Sequence, residues 1–295
     1  MSDLTQSMRD VADHVSRQLD ELLRPVEGPR GRVIDAMRYA CLAGGKRLRP
    51  YLVMSSANLF DVKQKNALRV AATIEMIHCY SLIHDDLPAM DDSDMRRGRP
   101  STHNEFDEAT AILAGDGLLT EAFAVLADGA THDDATIRAR LVLTLAHAAG
   151  IGGMVGGQMI DISGDRSNLD LAGISELQRL KTGALIKFSC IAGAILASAD
   201  DTAFAALNNY ADDLGLAFQV VDDLLDAEGT AEEIGKPIGQ DADRDKATFV
   251  KLLGRDGARN KARELADSAC ARLDLFGDKA EPLRQVAQFV VDRRS

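Results

Sequence analysis

Residues 85–94, DDLPAMDDSD, hold five aspartates in ten positions, and residues 96–100, RRGRP, turn basic at once. Carboxylates about 4 Å apart repel by about 4 kcal/mol at an effective dielectric near 20. Either these side chains splay into water as a solvated loop, or a cation sits between them and an anion lies against the arginines. A second acidic group, Asp222, Asp223 and Asp226, lies in QVVDDLLDAEG. At about 100° per residue, Asp222 and Asp226 fall about 40° apart on one helix face, a turn from each other, and can share a ligand. Asp85 and Asp91 are separated by Pro88, which lets the chain leave a helix near Leu87 and bring Asp91 back over its end. Both groups close predicted helices, where the helix dipole disfavours acids by about 0.3–1 kcal/mol per charge. One such cluster reads equally well as surface decoration. Two, each behind a strongly apolar run, point to a divalent-ion site. Oxygen-only donors suit Mg2+, which keeps several waters and is bound through one or two carboxylates plus phosphate oxygens. No His/Cys spacing suggests zinc.

A metal that bridges to phosphate calls for cations around the remaining phosphate charge. GGKRLRP supplies Lys46, Arg47 and Arg49 after a glycine pair, and RRGRP supplies Arg96, Arg97 and Arg99 just beyond the acids. Arginine forks match phosphate oxygens and glycine admits close backbone approach. Each cluster alone is more simply a solvated helix end; the pair, both bounded by Gly or Pro, favours an anion site. No GxxxxGK[ST] occurs, so nucleotide hydrolysis is not supported. His78, seven positions before Asp85, falls nearly on the same helix face, where a satisfied core histidine is the simpler reading.

The elements that must carry these residues read as helices. Val11, Val15, Leu19 and Leu22 mark an amphipathic helix stopping near Pro25, and residues 31–45 form a second that ends at Gly44-Gly45. Further helices are predicted over 66–87, 105–127, 137–150, 176–199 and 203–226, with the last ones after 258. No strand alternation and no short repeat stand out. Residues 1–295 are therefore expected to form a single all-α domain, a bundle of long helices. Residues 228–248, rich in Gly, Pro and charge, read as a long functional loop.

The net charge of −12 argues against a nucleic-acid partner or a membrane-attracted surface. Cys41, Cys79, Cys190 and Cys270 are scattered with no CxxC pair, which fits free thiols in a reducing cytoplasm. The N-terminus has no basic start followed by an apolar core, and so no secretory signal is expected. The longest uninterrupted apolar run, FSCIAGAILASA from Phe188, is shorter than the ~20 residues of a membrane span.

GGKRLRP, HCYSLIHDDLPAMDDSDMRRGRPSTH, GGQMIDI, KTGALI, GLAFQVVDDLLD and GKPIGQDADRDKAT follow one another here in the order found in trans-isoprenyl diphosphate synthases. From Gly44 to Thr248 the chain resembles that family, in its bacterial farnesyl diphosphate-forming branch. The resemblance implies the isoprenoid-synthase helical bundle around a deep central cavity, in a cytoplasmic homodimer. It implies head-to-tail prenyl transfer: dimethylallyl or geranyl diphosphate ionises, isopentenyl diphosphate attacks, and a proton leaves. It also implies several Mg2+ ions, three with substrate bound, with Mn2+ as the alternative.

Carried over by motif, Asp85, Asp86 and Asp91 resemble the first metal motif, and Asp222, Asp223 and Asp226 the second. Arg96, Lys181, Thr182, Gln219, Lys236 and Lys246 correspond to allylic-diphosphate contacts. Lys46, Arg49, His78 and Arg97 correspond to the isopentenyl diphosphate site. The catalytic set implied is Asp85, Asp86, Asp91, Asp222, Arg96, Lys181 and Lys236. Gln158 and Asp161 are expected to line the cavity, while Arg47, Asp92, Asp94 and Arg99 are expected as supporting charge. DADRDKAT lacks the glycine that often precedes this lysine in the family, which leaves the posture of Lys246 open.

Tyr80 and Ser81, five and four positions before Asp85, are the expected chain-length residues. A ring at Tyr80 would floor the cavity and favour a fifteen-carbon product over geranylgeranyl diphosphate; ordinary core packing is the alternative. A terpene cyclase needs no second diphosphate site, so GGKRLRP and Arg97 speak against it. A non-catalytic regulatory subunit with the same fold would be expected to lose an aspartate motif or its basic partners, and both are present.

Overall fold

The computed structural model describes residues 2–163, 169–228 and 248–293. Its elements run α1 (Ser2–Leu22), α2 (Gly31–Cys41), α3 (Leu48–Asn58), α4 (Gln64–Asp85), a small hairpin of β1 (Met95–Arg96) and β2 (Arg99–Pro100), α5 (Thr102–Glu105), α6 (Glu108–Ala127), α7 (Ala135–Ala149), α8 (Met154–Ile162), α9 (Leu171–Gln178), a π-helical turn (Arg179–Gly183), α10 (Ala184–Leu196), α11 (Asp201–Glu228), α12 (Phe249–Arg272), a 3-10 turn (Asp274–Ala280) and α13 (Glu281–Asp292). The fold class is all-α, as the helical periodicity predicts.

Local chemistry sets several of these starts. Asp107, Asp134, Asp170 and Thr248 precede α6, α7, α9 and α12, and each side chain accepts a hydrogen bond from a backbone N–H of the first turn. That satisfies donors a helix start otherwise leaves open. α4 packs against α3 and α6, while α10 lies between α3, α7 and α11, and α11 runs along α12. The buried side chains of these helices join in one core cluster. α10 is buried from Leu185 onward apart from Lys187, and Gly193 lets it touch α3: a Cβ there would lie 2.3 Å from the Ala57 nitrogen.

The structure departs from the sequence expectation at several elements. α3 begins inside GGKRLRP, where Pro50 falls in the first helical turn and removes no intrahelical bond. α8 contains two adjacent glycines and has weak helix propensity, but Gly157 lets it press against the π-turn. The expected 176–199 helix is interrupted by that π-turn, and α12 starts at Phe249 rather than after 258. The hairpin, too short to show alternation, turns through Arg97 (φ 54°) and Gly98 (φ 74°). Positive φ at both central residues matches the twist of the flanking strands.

By length and hydropathy alone, Glu108–Ala127 and Ala135–Ile162 could each cross a membrane. Both exceed the uninterrupted apolar run FSCIAGAILASA, because average hydropathy tolerates scattered polar residues. In the fold, α6 packs against α2 and α4, and the second stretch is broken at residues 150–153.

Candidate active site

α4 ends at Asp85, and the chain then turns back so that the Asp91 N–H donates to the Asp85 carbonyl at 2.8 Å. Ser93 donates likewise to the Asp86 carbonyl at 3.1 Å. The helix tip is thereby capped by its own acidic loop. The Asp85 carboxylate is half-buried and accepts from Gln158 Nε2 on α8 at 2.8 Å. Burial pushes its pKa up to about 6; Lys181 and Arg96 pull it down, while Asp91 and Asp86 push it further up. Asp86 is buried and accepts from Arg96, whose Nε lies 3.1 and 3.2 Å from its two oxygens. Across the site, Lys181 Nζ donates to Asp161 at 2.6 Å. Lys181 and Thr182 sit on the π-turn, a distortion frequent at functional sites because it re-aims side chains out of helical register.

Asp85, Gln158, Lys181 and Thr182 line a cavity of about 370 Å³ together with Tyr80, Ser81, Leu82, His84, Met154, Val155, Met159, Ile162 and Leu185. Asp161, expected in that lining, instead pairs with Lys181. Asp86 and Arg96 line a smaller neighbouring pocket with Arg97 and Tyr39. Tyr80 is buried, edge-on to His84 with ring centroids 5.8 Å apart. It lies about 7–8 Å below Asp85 along the helix axis at a 1.5 Å rise per residue.

A second pocket of about 220 Å³ adjoins the first, and Arg49 and His78 line both. Its wall holds Lys46, Arg47, Arg49, Arg97 and Arg293, together with Glu75 and Phe218. Burial lowers the pKa of Arg49, and of Lys46, where Arg293 adds to the effect and Asp222 opposes it. Burial and the neighbouring Arg49 and Arg97 hold His78 down to about 3 against the pull of Glu75, so its ring is neutral at physiological pH. Arg49 Nε is buried with no hydrogen-bond partner. Two adjoining chambers result, the larger mostly apolar with Asp85 and Lys181 in its lining, the smaller cationic.

The second acidic group lies near the end of α11. Asp222 accepts from Arg293 Nη2 at 2.5 Å, and the Arg293 guanidinium lies 3.8 Å over the Phe218 ring. Asp223 is buried and accepts from the Phe249 N–H at 2.7 Å, tying α11 to α12. Gln219, one turn earlier, is buried.

The first cavity thus gathers Asp85, Gln158, Lys181, Thr182, Tyr80 and Ser81, and the second Lys46, Arg49, His78 and Arg97. Asp85, Asp86, Asp222 and Asp223, all expected as metal ligands, each accept from a protein donor here. Lys236 and Lys246 lie outside the described residues. Arg99 stacks on Tyr39 at 4.0 Å, and Asp94 bonds Asn104 at 3.0 Å.

Glu75, Phe218 and Arg293 did not emerge from the sequence. Glu75 had a signal: a lone acid in the apolar run AATIEMIHCYSLI, one turn before His78, must find a cation if buried. Arg293 had none, since only the tertiary fold returns α13 to α11.

The donor set was tested for a hard dication. Asp85 is a carboxylate whose charge burial disfavours, so a nearby cation would relieve it. Gln158 Oε1, on the side chain bonded to Asp85, is buried with no hydrogen-bond partner. These are hard oxygen donors of the kind Mg2+ takes alongside water and phosphate oxygens. Among the described residues no three acidic, histidine or cysteine side chains converge to hold an ion by themselves.

Residues 31–278 match the polyprenyl synthetase family. The farnesyl diphosphate synthase of Haemophilus influenzae is 40% identical over the whole of both chains, and that of Geobacillus stearothermophilus is 45% identical over 87% of this chain and 86% of its own. The apo crystal structure of an FPP/GFPP synthase from Zymomonas mobilis superposes with a TM-score of 0.90 at 45% identity, covering 98% of this chain and 99% of that one. With acids and arginines framing two joined chambers and this likeness running end to end, the chain belongs to the polyprenyl synthetase family.

Proposed function

We propose that the protein condenses isopentenyl diphosphate with dimethylallyl and then geranyl diphosphate to give (2E,6E)-farnesyl diphosphate. It is a prenyltransferase of isoprenoid biosynthesis, and the observation that carries this reading is the pair of chambers meeting at Arg49 and His78. One has the volume and apolar lining for an allylic chain, with Asp85 and Lys181 beside it for its diphosphate; the other has the charge for a second diphosphate whose double bond must reach the first. Farnesyl diphosphate synthases 40–45% identical to the chain support the product class.

In the reaction the allylic C–O bond breaks with its electron pair leaving on the diphosphate. The isopentenyl double bond attacks the allylic cation to form the new C–C bond, and a proton passes to the released diphosphate. Lys181 and Thr182 line the cavity and offer donors to that diphosphate, while Arg96, paired with Asp86 at the end of α4, offers its charge from beside Asp85. Lys46, Arg49 and Arg97 hold the isopentenyl diphosphate. His78, neutral, contributes a donor without adding charge. The apolar wall of Leu82, Met154, Val155 and Leu185 keeps water from the cation. Asp85, Asp86 and Asp91 from one helix tip, with Asp222, Asp223 and Asp226 from the other, are the residues proposed to hold Mg2+. Bound there, it supplies positive charge to the leaving diphosphate.

Tyr80 supports the fifteen-carbon product as a floor to the cavity. Ile112 and Leu113 on α6 and Leu143 on α7 are 43%, 53% and 59% exposed, which supports burial of this face in a homodimer. The four free thiols support a cytoplasmic setting. The whole is proposed to act as one domain.

Incubation with isopentenyl and geranyl diphosphates plus Mg2+, followed by product sizing, tests the reading. Farnesyl diphosphate is expected, and EDTA should abolish its formation. Absence of any condensation product with metal present would overturn the proposal.

A further inference from the structure

Glu75 lies on α4, 2% exposed, among the cations of the second chamber. Its Oε1 accepts from Arg47 Nη1 in a short contact and from Arg97 Nη2 at 3.4 Å. Arg47 also donates to the Cys41 carbonyl, and Arg97 Nη1 donates to the Gly44 carbonyl at 2.6 Å. These two arginines belong to different loops, the glycine-led segment before α3 and the turn between β1 and β2. Both have left-handed backbones, Arg47 at φ 49° and Arg97 at φ 54°. Such conformations persist for non-glycine residues only where surrounding contacts hold them. The loops also touch directly: a Cβ on Gly45 would lie 3.1 Å from the Arg97 Cζ, so the glycine makes room for the guanidinium.

We infer that Glu75 is a positioning residue of the isopentenyl diphosphate chamber: its carboxylate ties Arg47 and Arg97 together and so fixes how far apart the two basic loops stand. The inference rests on the proposed activity for the identity of the ligand. Lys46 and Arg49 flank Arg47 in the chain, so holding Arg47 sets both of their backbones. Arg97 presents its remaining edge to the same space.

The charges agree with this role. Lys46, Arg47, Arg49, Arg97 and Arg293 bring five positive charges to the pocket wall, Glu75 takes up one, and Asp222 is paired with Arg293. The surplus of about three matches a diphosphate with three ionised oxygens. A purely structural ion pair could be exchanged for apolar residues with little loss of stability, and that exchange would leave the KM for isopentenyl diphosphate unchanged.

The test is steady-state kinetics of Glu75→Gln, Glu75→Asp and the double variant R47M/E75M, varying each substrate at saturation of the other. In E75Q the KM for isopentenyl diphosphate should rise at least tenfold, while the KM for geranyl diphosphate moves less than threefold. E75D, which keeps the charge, should recover a large part of the loss. R47M/E75M should regain thermal stability yet keep the raised KM for isopentenyl diphosphate. It also decides the matter if E75Q fails to fold. Unchanged KM values in folded E75Q would overturn the inference. So would a double variant with wild-type kinetics, or losses in both KM values and kcat that merely follow the folded fraction. Calorimetric titration with isopentenyl diphosphate separates the two proposals. A wild-type chain that binds it in a Glu75-dependent way but makes no product would sink the proposed activity and leave this role standing.

Discussion

Burial pushes the Asp85 carboxyl up to about 6, so above that pH the unliganded fold carries a charge it disfavours. A shift from 3.8 to about 6 corresponds to a cost on the order of 1–3 kcal/mol once partial exposure is allowed for. Asp85→Asn is therefore expected to raise the metal-free melting temperature at pH 8, while lowering kcat by about a hundredfold or more because leaving-group stabilisation is lost. Calorimetry beside a turnover assay checks both; a variant less stable and still active would contradict the assignment. At Tyr80 the prediction concerns the product. Tyr80→Ala removes a ring from the cavity lining and, if that ring limits chain growth as proposed, should shift product from fifteen carbons to twenty or more, read by chromatography after dephosphorylation. An unchanged product would return Tyr80 to ordinary core.

Among the elements, the contact of α8 with the π-turn decides where Lys181 stands. A Cβ on Gly157 would meet the Lys181 nitrogen at 2.3 Å and its Cα at 2.6 Å, so backbone must move to admit it. Gly157→Ala is expected to cost about 1–3 kcal/mol by overpacking. It should also lower kcat by about ten- to a hundredfold, since displacing a positioned group by about 1 Å is costly to catalysis. Denaturant unfolding and a rate assay check the pair of effects, and full activity in a destabilised variant would show that Lys181 does not act from this position. Gly193, against α3, offers the contrast: its contacts lie with Ser56 and Ala57, away from the residues that frame the chambers.

At the scale of the whole molecule, three groups around the chambers, the buried Glu75 and His78 and the half-buried Asp85, shape the acid response. Burial would raise Glu75, but Arg47, His78 and Arg97 hold it at about 2, so its contribution is complete above its ordinary value of 4.5 and is lost as pH falls toward 2. His78, held at about 3, refuses a proton that the unfolded chain accepts below 6.5, so stability falls as pH drops through that window. Asp85 acts in the opposite sense, because between 6 and 3.8 the folded chain binds a proton the unfolded chain has released. His78 and Asp85 nearly offset each other there. The metal-free wild type is expected to hold its stability from about pH 6 to 4 and lose it steeply below, whereas D85N should decline by about 1.4 kcal/mol per pH unit across the same interval. Urea titrations at half-unit steps measure this; parallel curves for the two proteins would refute it.

The sequence alone determined the helical class and the two acidic clusters. Composition and period follow from local preferences, and the hydrophobic spacing that buries one helix face is written in each segment. The return of Asp91 over the end of α4 was legible for the same reason, since Pro88 forbids the helix to continue. Only the tertiary structure decided which charges meet. Glu75 with Arg47 and Arg97, Asp222 with Arg293, and Gln158 with Asp85 pair across 22 to 73 positions of chain. Such pairings depend on how helices pack, which local propensity leaves open. α3, α8 and the π-turn were missed on the same ground: proline, glycine and a register slip weaken the local signal, and burial against neighbouring helices supplies the stability instead.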